Sequence, residues 1–124
     1  MRDDLVRHFF GGFVRLHLLY HAEREAICGV EMIEELGRHG YDLSPGTLYP
    51  ILHHLEEAGY LSCEEEVVLG KRRKNYRITH RGRKLLADAR GKLRELFSEL
   101  IEDHDKKAAT AKPRPTRRRK RINQ

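Results

Sequence analysis

The stretch from Ser44 to Ile78 limits what this chain can become, because 35 residues hold both the start of a helix and a basic hairpin. Ser44 is a good N-cap, and Pro45 suits the first helical position, where a missing N–H is no loss. The run Ser44-Pro45-Gly46-Thr47-Leu48-Tyr49-Pro50 therefore opens a helix that buries Leu48, Ile51, Leu52 and Leu55 and stops at Gly59. Thr47, Tyr49, Pro50, His53 and His54 fall on the outward side. Pro50 breaks a local rule. It removes the hydrogen bond to Gly46 and biases Tyr49 away from helical angles, a defect of about 3 kcal/mol in a helix interior. The sequence thus predicts a kinked first turn or a helix that begins later than Ser44.

Beyond Gly59 the period changes from helical to alternating. Leu61 and Cys63 share one face and Ser62 and Glu64 the other, and Tyr76 and Ile78 point inward from a returning strand. A charged tip, Gly70-Lys71-Arg72-Arg73-Lys74, joins Tyr60–Val68 to Asn75–Ile78. A short helix followed by such a hairpin is the pattern of a winged helix.

Helices flank this unit. Asp3 or Asp4 caps a first one, which carries Leu5, Phe9, Phe13, Leu16 and Tyr20 and ends near Glu25. A second spans about Cys28 to Leu36, with Val30, Ile33 and Leu36 inward, and stops at Gly37 or Gly40. Thr79 caps a long last helix in which Leu86, Ala89, Leu93, Leu96 and Leu100 recur as a heptad seam, widened by Leu85, Phe97 and Ile101. Gly82 and Gly91 weaken that helix by about 1 kcal/mol each relative to alanine. The stripe is wider than the helices of one small domain can cover, so a second copy of the chain is its natural partner. Phe9, Phe13, Leu86, Leu93, Leu96, Phe97 and Leu100 are the expected dimer contacts. The expected fold is mainly α with a small β-hairpin: a winged helix-turn-helix with N- and C-terminal dimerisation helices. A length of 124 residues allows one domain, expected at 1–102, followed by a basic disordered tail at 103–124.

Charge separates these parts. From Asp103 to Gln124 there are nine Lys or Arg against two Asp, a net of +7 out of the whole chain's +6, so the preceding residues are close to neutral. Within them Lys71, Arg72, Arg73, Lys74, Arg77, Arg81, Arg83 and Lys84 occur without an intervening acid, whereas Glu64, Glu65 and Glu66 lie just upstream. One basic face on a mixed surface is the footprint of a nucleic-acid binder. Helix starts offer free N–H groups to phosphate, and Thr47, Tyr49 and His53 bring hydroxyl and imidazole groups that can meet base edges or phosphates. The expected DNA-binding set is Ser44, Pro45, Gly46, Thr47, Tyr49, Pro50, His53, Lys71, Arg72, Arg73 and Lys74. The tail, with Pro113, Pro115 and the run Arg117-Arg118-Arg119-Lys120-Arg121, adds phosphate contacts without reading sequence.

Other classes fit less well. There is no apolar run long enough to span a membrane, the N-terminus lacks the order of a signal peptide, and Cys28 and Cys63 are far apart, which suits a reducing, cytoplasmic setting. Catalysis is not expected. No cofactor motif is present, and a metal centre is not expected either, because His53 and His54 diverge on their helix and no HExxH or paired Cys-His set occurs. Cys28 reads as a buried thiol. A winged helix that only docks onto other proteins is the competing reading, and the basic tip and tail count against it.

The segments Cys28-Gly29-Val30-Glu31-Met32-Ile33, Ser44-Pro45-Gly46-Thr47-Leu48-Tyr49-Pro50-Ile51-Leu52, Leu55-Glu56-Glu57-Ala58-Gly59-Tyr60-Leu61 and Gly70-Lys71-Arg72-Arg73-Lys74-Asn75-Tyr76-Arg77-Ile78-Thr79-His80-Arg81-Gly82 together resemble the PadR family of bacterial transcriptional regulators. The likeness covers about residues 14 to 102. It implies a dimeric winged-helix repressor of the bacterial nucleoid, acting on double-stranded DNA, with one long C-terminal helix supplying most of the dimer contact. Cys28 departs from the histidine common in the family at that position. Some members bind planar or phenolic effectors, at times through tryptophan; this chain has none, and its sequence names no effector.

Overall fold

The computed structural model describes residues 4–110 and contains five α-helices, a π-helical turn and one hairpin among them. In order these are α1 (Asp4–Arg24), α2 (Gly29–Arg38), α3 (Pro45–Glu57), β1 (Leu61–Val68), β2 (Lys71–Ile78), α4 (His80–Phe97), the π turn (Ser98–Asp103) and α5 (His104–Thr110). Two compact units divide the chain, Met1–Arg90 and Gly91–Gln124.

The first unit is the winged helix. Its core joins Val14, Leu18, Leu19 and Ala22 of α1, Met32 and Leu36 of α2, Leu48, Ile51, Leu52 and Leu55 of α3, Leu61, Tyr76 and Ile78 of the hairpin, and Leu86 of α4. Helix α3 buries the four leucine and isoleucine side chains expected of it. It also begins where expected, with Ser44 as N-cap and Pro45 inside its first turn, and it runs on through Pro50. Pro50 therefore does not delay the start of the helix.

The apolar stripes of α1 and α2 match expectation only in part: Leu36 is buried and Leu16 and Ile33 pack partly against the core, while other positions differ. In α2 the buried side is Gly29, Met32 and Leu36, spaced three and four apart, while Val30 is 70% exposed rather than inward. In α1 the buried side is Val14, Leu18, Leu19 and Ala22, and the expected stripe of Leu5, Phe9 and Tyr20 lies outside. Helix α1 is thus apolar on two sides. Phe9 stacks between Phe10 and Phe13 at centroid distances of 5.4 and 4.7 Å, so the outer side is an aromatic surface.

The hairpin is longer than expected. Strand pairing continues to Val68 opposite Lys71, so Lys71–Lys74 are strand residues and the tip is Leu69-Gly70 alone. Both tip residues have positive φ, 53° and 79°, the geometry of a two-residue turn that follows strand twist. The hairpin also gains a third, single-residue neighbour: Ile27 exchanges N–H···O bonds of 2.9 and 2.7 Å with Tyr76. This bridge fastens the α1–α2 connection to β2.

Thr79 caps α4 as expected. Its hydroxyl accepts the Gly82 amide at 3.0 Å and donates to the Gly59 carbonyl at 2.6 Å, tying the end of α3 to the start of α4. Leu86, expected among the dimer contacts, is instead 5% exposed in the chain's own core, because it belongs to the turns of α4 that cover the hairpin base.

In the second unit Leu93, Leu96, Phe97, Leu100 and Ile101 are all exposed. The heptad seam holds its α-helical register as far as Phe97. The π turn at Ser98–Asp103 is wider than an α turn and carries Leu100 off that register. Helix continues without a break into α5, so the first residues of the segment expected as a tail are helical, to Thr110. Residues 111–124, with the prolines and the arginine run, lie outside the described residues, as does Asp3.

Candidate nucleic-acid interface

Helix α3 spends one side on the core and leaves the other free. Thr47, Tyr49, Pro50, His53 and His54 are all exposed on it, as their spacing requires. At its start the Thr47 and Leu48 amides donate to the Ser44 carbonyl at 3.0 and 2.9 Å, and Pro45 has no N–H. The Ser44 hydroxyl does not cap an amide; it bonds the Thr47 hydroxyl at 3.3 Å. Among the described residues this leaves the Gly46 amide as the unpaired donor at the helix start, available to an anion.

Tyr49 is held by a contact that its own segment does not reveal. A Cβ placed on Gly29 would lie 2.2 Å from the Tyr49 ring, so only glycine at the start of α2 lets the ring settle there. Tyr49, Gly29 and the hairpin then wall a cleft of about 590 Å³ that Lys71, Arg72, Arg73 and Lys74 line from the β2 side. Four expected DNA-binding cations and one expected aromatic are therefore brought to one place. Ser44, the N-cap, and Thr47 and His53 on α3 are not among the residues that line it.

The hairpin's charges are mostly internal pairs. Antiparallel register sets Glu65 against Lys74 and Glu66 against Arg73. Arg73 donates to Glu31 of α2 at 3.0 Å and lies 3.9 Å from Glu66, while Asn75 donates to Glu66 at 2.6 Å. Arg72 reaches Glu65 at 3.4 Å with a guanidinium that is 80% exposed. Lys71 and Lys74 have no ion pair among the described residues. The Glu64–Glu66 run just upstream of the basic residues lies on β1, opposite Asn75, Lys74 and Arg73 of β2. Exposed pairs of this kind are worth about 0–1 kcal/mol, so a phosphate can take Arg72 from Glu65. Arg73, shared by two carboxylates, is the strut between wing and α2. His53 lies 3.4 Å from Glu57, a contact that is ionic only when the imidazole is protonated.

Behind the wing, Cys63 and Tyr76 face each other across the strands. Burial, with Cys63 next, pushes the Tyr76 phenol up to about 12, and burial likewise raises the Cys63 thiol. Neither group ionises near neutral pH. They support the wing and leave charge recognition to its outer side.

The comparisons with known proteins point to one family. The family model described as the transcriptional regulator PadR-like family matches residues 18–88, which is more than half of the chain. The chain belongs to the PadR-like family. It is 47% identical over 96 residues to the transcriptional regulator Rv3488 of Mycobacterium tuberculosis, a match that spans 77% of this chain and 90% of that protein. A further relative, the transcriptional activator GvpE of Haloferax mediterranei, is 46% identical over 63 residues, covering 50% of this chain and only 31% of GvpE. Among solved structures, a PadR family transcriptional regulator from Eggerthella lenta superposes with a TM-score of 0.67 at 27% identity, over 88% of this chain and 92% of that one. PadR-like proteins are transcriptional regulators rather than enzymes, and the matched span contains α2, α3, the wing and the start of α4.

Proposed function

We propose that the chain is a homodimeric regulator that binds double-stranded DNA at an inverted repeat in the bacterial cytoplasm. Helix α3 enters the major groove with Thr47, Tyr49 and His53 toward base edges, and the Gly46 amide at its start meets a phosphate. The wing follows the adjacent backbone through Lys71, Lys74 and Arg72. The observation that carries this reading is the cleft where the Tyr49 ring, anchored on Gly29, meets the basic β2 strand. A docking module has no use for Lys71 and Lys74, which have no ion pair among the described residues, lining a cleft with the Tyr49 ring.

Dimerisation supplies the symmetry. The aromatic outer side of α1 around Phe9 and Phe13, and the exposed Leu93, Leu96, Phe97 and Leu100, are the surfaces that a second copy covers. Two copies related by a two-fold axis place their α3 helices about 34 Å apart, one helical turn of DNA. Occupying a promoter in this way represses transcription. The activator role of GvpE favours a second sign, activation, in which the same dimer binds upstream of a promoter.

Selection of bound fragments from a genomic duplex pool, followed by footprinting and transcription in vitro, tests the proposal. Expected is a short inverted repeat protected on one face of the duplex, with transcription lowered when it overlaps a promoter. Absence of any enriched sequence in low salt contradicts DNA recognition, and a rise in transcription replaces repression with activation.

A further inference from the structure

Three histidines that the DNA-binding account leaves unused meet on the first unit, away from the wing. His17 and His21 are four residues apart on one side of α1, and His39 closes the end of α2. One nitrogen from each lies within 4.8 Å of the others. The His17 and His39 rings are 5.2 Å apart, and His17 rests edge-on against Tyr41 at 5.5 Å, which fixes its plane.

A carboxylate completes the group. Glu35 Oε2 is 3.7 Å from His21 Nε2 and 3.4 Å from His39 Nε2, so both imidazoles address the same oxygen. Glu35 is also bound by Arg38, which leaves it oriented but shared. His21 Nε2 is the independent sign of a missing ligand: it is shut off from solvent and has no hydrogen-bond partner among the described residues, since 3.7 Å to Glu35 is too long for one.

We propose that His17, His21 and His39, with Glu35 as the acidic partner, form a binding site for a zinc-like divalent transition-metal ion. Imidazole nitrogens with one carboxylate suit Zn²⁺, Co²⁺ or Ni²⁺ rather than Ca²⁺ or Mg²⁺, which take oxygen ligands. Tetrahedral Zn–N bonds of about 2.0–2.1 Å put ligand nitrogens about 3.4 Å apart, so rotation of side chains already within reach closes the shell without moving either helix. The ion gives His21 Nε2 the partner it lacks. It also links α1, which carries the Phe9 and Phe13 surface, to the end of α2.

Titration of the untagged full-length chain, stripped with a chelator, against Co²⁺ and then Zn²⁺ tests the site without any DNA. Expected are one Co²⁺ per chain with visible absorption of tetrahedral type, its displacement by Zn²⁺, and a thermal midpoint that rises with Zn²⁺. His39→Ala, at a half-exposed position that the fold does not need, weakens Co²⁺ affinity at least tenfold, and His17→Ala does the same. Replacing His53, outside the site, leaves uptake unchanged. No saturable uptake of one ion per chain, or equal uptake by wild type and His39→Ala, overturns the site while leaving the DNA-binding proposal untouched.

Discussion

Gly82 and Gly91 lie on the same helix, and adding one methyl group to each has opposite consequences. A Cβ at Gly82 would stand 2.3 Å from the Tyr60 carbonyl oxygen and 2.7 Å from Ile78, whereas nothing lies within 4 Å of one at Gly91. Gly82→Ala therefore destabilises the chain by about 1–3 kcal/mol, despite the better helix propensity of alanine. Gly91→Ala stabilises it by about 0.5–1 kcal/mol. Urea denaturation of both variants checks the pair, and a loss of stability at Gly91 or a gain at Gly82 contradicts the packing described. In the sequence both glycines read as equal helix weaknesses. The difference is legible only once Thr79 has folded α4 back onto Tyr60.

Tyr76 is a second residue whose behaviour follows from its surroundings. Its phenol titrates near 12 in the folded chain, against an ordinary 10, so the unfolded chain loses its proton first as pH rises. The stabilisation from the neutral, buried phenol is complete below pH 10 and fades as pH climbs toward 12. Tyr76→Phe removes this alkaline slope, and denaturation measured on either side of pH 10 shows whether it does. The spacing of His53 and His54 on α3 carries no information about His17 on α1. Its four-residue spacing from His21 was the available signal; the approach of His39 from another helix was not. Burial, then His39 and His21, lower the His17 pKa, which favours the neutral ring.

Among the elements, α3 was the most legible, because Ser44, Pro45 and Gly59 mark its ends and its apolar positions follow one side. The wing was the least so. Its two strands follow from alternation, but Lys71–Lys74 read as a tip rather than as strand residues opposite Glu65–Val68, and the bridge from Ile27 to Tyr76 has no local signature at all. Register now separates the wing's cations. Lys71→Ala and Lys74→Ala should each lower the slope of log affinity against log salt by about 0.9, the loss of one phosphate contact, without changing stability. Arg73→Ala should instead loosen the wing from α2, since it removes the contact to Glu31. A salt titration alongside thermal melting separates the two effects, and equal behaviour of all three variants would refute the assignment.

At the scale of the whole molecule, the apolar surface left on α1 and after Arg90 is what the proposed dimer would cover. Two positions of the expected seam lie differently: Leu86 is internal, and the π turn shifts Leu100. Leu93, Leu96 and Phe97 stay exposed, and Leu93→Asp should yield a monomer, as sedimentation would show, with weakened duplex binding. Sedimentation of the wild-type chain with a labelled duplex carrying its selected site tests the central claim most directly. Two chains per duplex are expected, with binding that weakens steeply as salt is raised. One chain per duplex, or no complex in dilute buffer, would contradict it.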